Sequence, residues 1–162
     1  MGKIASILPE NQNEIDESWM RYAIRLAQRA QDCGEVPVGA LLINDKDLLA
    51  EGFNRVIGQH DPTAHAEIVA IRQAGQLIGN YRLTNSTLYV TLEPCLMCMG
   101  AISHARVKRL VFGAFDEKRG AVCNALQLSH APFLNHHIAW QGGVLAERCG
   151  QLLKDFFYVR RQ

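Results

Sequence analysis

The chain lacks an apolar run of membrane-spanning length, for which about 20 residues are needed, so no transmembrane helix is expected. Met1 to Glu10 has no basic segment followed by a long apolar core, so no secretory signal is expected either. Met1-Gly2-Lys3-Ile4-Ala5-Ser6 formally fits a myristoylation pattern. That pattern is short and loose, and a disordered leader is the simpler expectation. Net charge is nearly absent, at +1. A polyanionic partner would therefore have to be met by local basic groups. Lys108-Arg109, Lys118-Arg119 and Arg160-Arg161 are the pairs available, with Arg72 and Arg82 nearer the middle. Cysteine is sparse and odd in number, at five. Without an export signal this argues for reduced thiols in the cytoplasm and against a disulfide framework. Cys33, Cys123 and Cys149 read as ordinary buried or half-buried residues, with Cys123 in a Gly/Ala-rich stretch that could approach a site. No repeat, low-complexity tract or linker divides the chain. Residues 16–162 are expected to form one domain behind a flexible leader at 1–15, and 162 residues suffice for a self-supporting core.

Helices and strands are expected to alternate. Trp19, Ala23, Leu26, Ala27 and Ala30 recur at helical spacing, predicting a helix over 16–31 that Asp16 or Ser18 could cap and Gly34 end. Strands are predicted at 38–43 and 48–53, joined by the polar turn Asn44-Asp45-Lys46-Asp47. A helix follows over 64–77, then a strand at 87–91 rich in residues that favour pleated surfaces. Pro94 is placed to open a helix reaching His104. Further strands are predicted at 107–112 and 137–140, a short helix at 125–128, and a long closing helix at 144–160. This order implies an α/β fold of three layers, α/β/α, with a mixed five-stranded sheet covered on both faces.

The chemistry concentrates in His65-Ala66-Glu67 and Pro94-Cys95-Leu96-Met97-Cys98. Thiolate and neutral imidazole are preferred zinc ligands, and catalytic zinc sites use three protein ligands with one position open. His65, Cys95 and Cys98 would supply the three, leaving Glu67 free to move protons. All lie near helix N-termini, whose partial positive charge favours thiolate. On a regular helix His65 and Glu67 would point about 200° apart, so both can serve one cavity only from the helix end. Two thiolates formally cancel the charge of zinc. Such a metal should be a poorer Lewis acid than one held by three histidines, which brings the pKa of water to about 7. A carboxylate to accept the water's proton then matters more. The pair also admits blander readings. A redox Cys-x-x-Cys should sit in a thioredoxin-like pattern, which is missing here. A structural zinc site needs a fourth ligand, and His104, the nearest candidate, lies at the far end of the cysteine helix. His60, His130, His136 and His137 are expected on loops or surfaces.

His-x-Glu with Pro-Cys-x-x-Cys is the signature of the zinc-dependent base deaminases. The flanking segments narrow the likeness. They are Glu35 to Ala40, Gly52-Phe53-Asn54-Arg55, His60 to Glu67, Asn80-Tyr81-Arg82-Leu83, Thr87 to Cys95, Val111 to Ala114 and Asp155-Phe156-Phe157. With them the chain resembles the bacterial tRNA-specific adenosine deaminases from about Trp19 to Arg161. The resemblance implies a cytidine-deaminase-like fold, one zinc ion per subunit and a homodimer. It implies deamination of adenosine to inosine at the wobble position (34) of a tRNA anticodon, with an arginine tRNA as the substrate. It assigns zinc to His65, Cys95 and Cys98, and to Glu67 the proton shuttle for a zinc-activated water attacking C6. It gives Asn54 a contact to the target nucleoside, places Asp116 beside the anticodon loop, and gives Phe157, Arg160 and Arg161 contacts to RNA. The competing role for Phe157 is core packing. Two departures stand out. Relatives commonly carry Arg before the aspartate, where this chain has Phe115, which exchanges a phosphate contact for a stacking surface. After Gly120 relatives show a small-residue stretch, whereas here it is Ala121-Val122-Cys123-Asn124.

Overall fold

A computed structural model of the chain describes residues 11–134 and 136–161. The first ten residues of the expected leader, with the myristoylation-like segment, lie outside them.

Among the described residues four α-helices and five strands run in the order α1 (Gln12–Asp32), β1 (Gly39–Asn44), β2 (Asp47–Phe53), α2 (Ala66–Ile78), β3 (Ser86–Leu92), α3 (Leu96–His104), β4 (Arg109–Ala114), β5 (Ala139–Gln141), α4 (Ala146–Arg160). The sheet order is β2-β1-β3-β4-β5. β1 is antiparallel to β2 and to β3, while β3, β4 and β5 run parallel. The mixed sheet and its α/β/α layering match the expectation.

Strand alternation assigns the two cores, because successive side chains point to opposite faces. Ala40, Leu42, Leu88, Val90, Leu110 and Phe112 face one side, where they meet Ala66, Ala70 and Ala74 of α2 and Met99 and Ile102 of α3. Leu41, Ile43, Tyr89 and Val111 face the other, against Met20, Ala23, Ile24 and Ala30 of α1 and Cys149 of α4. The helix α2 lies very close to β2. A Cβ at Gly52 would stand 2.7 Å from the Ala66 carbonyl and 2.8 Å from the Ala70 nitrogen, so only glycine admits this approach. That contact presses the start of α2 onto the sheet.

Three predicted details are corrected. The first helix starts at Gln12, and its cap is Asn11, whose side chain accepts from the Glu14 N–H at 2.9 Å. Asp16 is no cap. It is buried, and it pairs bidentately with Arg109 at 2.8 and 2.7 Å while accepting from the Tyr89 hydroxyl at 2.8 Å. Arg109 therefore points inward at the start of β4 and is not available to phosphate. The short helix expected at 125–128 is replaced by turns and one 3-10 turn, Leu128–His130, because nearby amides are drawn to a buried carboxylate described below. Finally, Cys33 is exposed, against the expectation of burial, while Cys149 is buried and Cys123 half-buried. All five cysteines are free.

Burial pushes the Asp16 carboxyl up, but hydrogen bonds from Arg109, Tyr89 and Gln12 outweigh it and hold the group below its ordinary value. Its stabilising contribution is therefore present above the unfolded carboxylate pKa of about 3.9 and is lost as pH falls through the lower folded value. Asp16→Asn should destabilise the chain by about 3 kcal/mol, since it leaves a largely buried guanidinium without its counter-charge. Thermal or urea unfolding at neutral pH checks this, and the difference from wild type should shrink toward pH 2.

Among the described residues, no helix is long and apolar enough to cross a membrane.

Candidate active site

The site lies at the carboxyl end of β3, where the chain leaves the sheet through Glu93-Pro94-Cys95 and enters α3. His65 is the N-cap of α2 and Cys95 the N-cap of α3, both with extended backbone (φ −69° and −79°). Glu67 and Cys98 follow in the first turns. The divergence of about 200° that a regular helix would impose on His65 and Glu67 thus does not arise, because His65 precedes the helix and serves the cavity from its end. Pro94 likewise sits before the cap, two positions ahead of the first helical residue, Leu96, which the sequence pattern places at Pro94 itself.

Neither cap uses its own side chain to satisfy the helix N–H groups. The orphan donor at Ala66 is met by the Asn54 side-chain oxygen at 2.8 Å. Asn54 thereby frees the His65 ring from capping and fixes the entry to α2. Upstream, Asp61 accepts from the Thr63 N–H and hydroxyl at 2.9 and 2.7 Å, tightening the turn that leads into His65.

The ring nitrogen Nδ1 of His65 stands 3.6 Å from Cys95 Sγ and 3.5 Å from Cys98 Sγ. All three donor atoms lie within 4.8 Å of one another. A tetrahedral zinc with bonds of about 2.0–2.3 Å has ligand–ligand edges of about 3.4–3.8 Å, so one nitrogen and two sulfurs at these separations fit the ion. Among the described residues no fourth His, Cys or carboxylate joins the group, and His104, the candidate for a structural site, is the last residue of α3 and exposed. His60, His130 and His137 are exposed, and His136 is half-buried with its ring nitrogen on the Val107 carbonyl.

The electrostatics suit a metal. The Cys98 thiol hydrogen-bonds Cys95 and lowers it to about 3, against the opposing effect of burial. The same contact raises Cys98, with burial and the Glu67 charge adding to the effect. A coordinating cation would hold both sulfurs as thiolates. Glu67 is 4% exposed. Burial pushes its carboxyl up, opposed by its backbone N–H and by His65. An elevated carboxyl beside a metal site suits a group that must take and return a proton near neutral pH.

A cavity of about 860 Å³ opens over these residues, within the range of small-molecule sites. His65, Glu67, Cys95 and Asn54 line its floor, and Asp116, Phe157 and Arg160 line its walls. Cys98 is fully buried beneath. Arg161 is exposed and does not line the cavity. Phe157 is half-exposed and meets Phe156 edge-on, so it contributes to the wall rather than to the core. Arg160 donates to the Gly34 carbonyl at 2.5 Å and stacks on Phe156. The Asp116 carboxylate accepts from the Lys118 and Arg119 amides at 3.1 Å each, which turns both basic residues to the cavity rim. Of the other basic groups, Arg72 pairs with Asp61, and Arg82 lies over the Tyr81 ring.

Sequence reasoning gave no role to Glu93. It is buried, and its carboxylate accepts from the Asp116, Val122 and Cys123 amides at 3.0–3.1 Å and from the Asn124 side chain. Burial alone would raise its pKa, but these donors lower it. One carboxylate thus ties the wall loop to the residue pair preceding Cys95. Glu35 acts similarly on the opposite wall, accepting from the Ile57 and Gly58 amides at 3.0 and 2.8 Å. A buried acid bordered by Pro or by a Gly-containing loop was the available signal, but its partners are 22 to 31 positions away and leave no periodic trace.

Comparison with known proteins agrees with this geometry. Residues 13–114 match the family described as the cytidine and deoxycytidylate deaminase zinc-binding region. A tRNA-specific adenosine deaminase of Haemophilus influenzae is 54% identical over 151 residues, covering 93% of this chain and 87% of that protein. The tRNA-specific adenosine deaminase of Bacillus subtilis is 42% identical over 147 residues, 91% of each. A solved structure from work on A-to-I editing by tRNA:A34 deaminases at the wobble position has a TM-score of 0.81 and 41% identity, covering 83% of this chain and 97% of that one.

Proposed function

The chain belongs to the zinc-binding cytidine and deoxycytidylate deaminase family, among its tRNA-specific adenosine deaminases, and we infer that it hydrolyses the wobble adenosine (position 34) of a tRNA anticodon to inosine. The observation that carries this reading is the His65–Cys95–Cys98 donor set opening on a cavity that also holds the buried Glu67.

Zinc held by His65, Cys95 and Cys98 supplies an activated water when bound. The chain's own residues do the rest. The target base must leave its stack to present C6, and a single-stranded loop makes that inexpensive. Asn54 offers its amide N–H₂ to the base, while its oxygen accepts from the Ala66 N–H at the start of α2. Glu67 takes the water's proton as the oxygen bonds to C6 and delivers it to N1. It then passes the second proton of the water to the exocyclic amine, which leaves as ammonia while the C6 carbonyl forms. Water and adenosine are thus consumed, and inosine and ammonia produced. Asp116 orders the Lys118–Arg119 turn, and with Phe157 and Arg160 it forms the walls that receive the flanking nucleotides.

The single domain that opens with α1 (Gln12–Asp32) acts as the catalytic domain. The family resemblance extends the proposal to a cytoplasmic homodimer that edits an arginine tRNA. A free-base deaminase, for example one acting on guanine, would use the same metal and carboxylate. The two part on substrate: the tRNA reading expects kcat/KM for an anticodon stem-loop to exceed that for free adenosine or guanine by at least about 10³-fold. Comparable turnover of the free compounds would transfer the assignment to them. The basis of the expected ratio is that binding energy from remote parts of a substrate supports the chemical step.

A further inference from the structure

We propose that Phe115 is a substrate-binding residue, a fixed stacking platform for a nucleobase flanking the one that enters the cavity. This rests on the tRNA reading above and adds a recognition element to it.

Phe115 directly follows β4, yet it is 49% exposed while its neighbours in that strand are buried. It lines the same cavity as His65 and Glu67. Hydrophobic side chains left in water at a site mouth stand out against an otherwise covered core. The ring is held from behind. It meets Phe112 edge-to-face with centroids 5.2 Å apart, and Phe112 is itself stacked on Trp140 at 5.8 Å. Gly142 closes the other contact: a Cβ there would collide with the Phe112 ring and come within 3.0 Å of Phe115. The platform is therefore preorganised, which spares the ordering cost of a mobile side chain.

Its surroundings select the occupant. Lys118, Arg119, Lys154 and Arg160 line the same cavity. An aromatic face bordered by cations is the arrangement that holds single-stranded nucleic acid, the ring stacking a base and the cations tracking the backbone. The cavity also carries Glu35, Glu67, Glu93 and Asp116, but Glu35, Glu93 and Asp116 are taken up by backbone amides, so the rim cations favour a polyanion over an apolar peptide. Because the base must be splayed from the loop for C6 to reach the floor, its neighbour loses a stacking partner, and Phe115 replaces it.

The test uses an anticodon stem-loop and its variants with an abasic site at each nucleotide flanking the target. Loss of one stacked base should raise KM roughly 5- to 100-fold. Phe115→Ala and Phe115→Leu should both show that rise with the intact loop, and Phe115→Trp should not. Leucine separates stacking from packing, since it fills the volume without a π-face. For one flanking position, the abasic penalty seen with wild type should vanish in Phe115→Ala. An unchanged KM in Phe115→Leu, or an abasic penalty equal in wild type and Phe115→Ala at every position, would overturn the proposal. If the wild-type chain forms no inosine in the intact loop, the functional reading fails first and this inference with it.

Discussion

Glu67→Gln is expected to keep its zinc and lose at least 10²- to 10⁴-fold in kcat, the range attributed to a positioned general acid–base. Glutamine has nearly the same shape, so the cavity floor should keep its form. It cannot accept a proton, and the amide has no second protonation state with which to return one. Burial already disfavours the carboxylate at this position, so a neutral replacement should leave the melting temperature unchanged or higher. The loss of turnover is then not an unfolding effect. Metal content by atomic emission, unfolding temperature and inosine formation on one preparation separate the possibilities. A kcat within tenfold of wild type would mean that another group moves the protons. Loss of zinc would mean that Glu67 is a ligand and that the three-donor assignment is wrong.

Cys95→Ser carries the second large effect, a loss of zinc and with it of all measurable turnover. Second-sphere changes around metal ligands already cost 10- to 100-fold in affinity, and removal of a direct thiolate ligand should cost more. A serine hydroxyl is not ionised near neutral pH, so the remaining His65–Cys98 pair loses both a donor and its compensating negative charge. Cys95 is only half-buried at a helix cap, so the backbone should tolerate the change better than it would at Cys98. Zinc per chain after dialysis against a chelator gives the readout, and added zinc should raise the unfolding temperature of wild type but not of the variant. Stoichiometric zinc in Cys95→Ser would remove that residue from the ligand set.

The catalytic group was legible in sequence because it is local: two short motifs each place their chemistry at a helix start. Even there the geometry corrected the pattern. Treated as two residues of one helix, His65 and Glu67 diverge; with His65 as an extended cap, both face one cavity. The order of strands and helices, and hence a sheet covered on both faces, was legible for the same reason of short period. What escaped were roles set by distant partners. Asp16 has the residue type and position of a cap, but Arg109, 93 positions away, converts it into half of a buried ion pair. Arg109 in turn leaves the set of basic groups open to RNA. Glu93 and Glu35 look like ordinary surface acids until their amide donors are placed around them. Asn54 was assigned to the nucleoside by resemblance, and the fold adds a capping duty at the start of α2.

The most direct measurement of the central claim is the location of inosine. Unmodified tRNA bearing adenosine at position 34 is incubated with the zinc-loaded chain, cleaved by a base-specific nuclease, and its fragments weighed by mass spectrometry. The account predicts a gain of one mass unit confined to the anticodon fragment, with inosine on nucleoside digestion and none from the Glu67→Gln protein. Unchanged tRNA, or deamination spread over other adenosines, would contradict it.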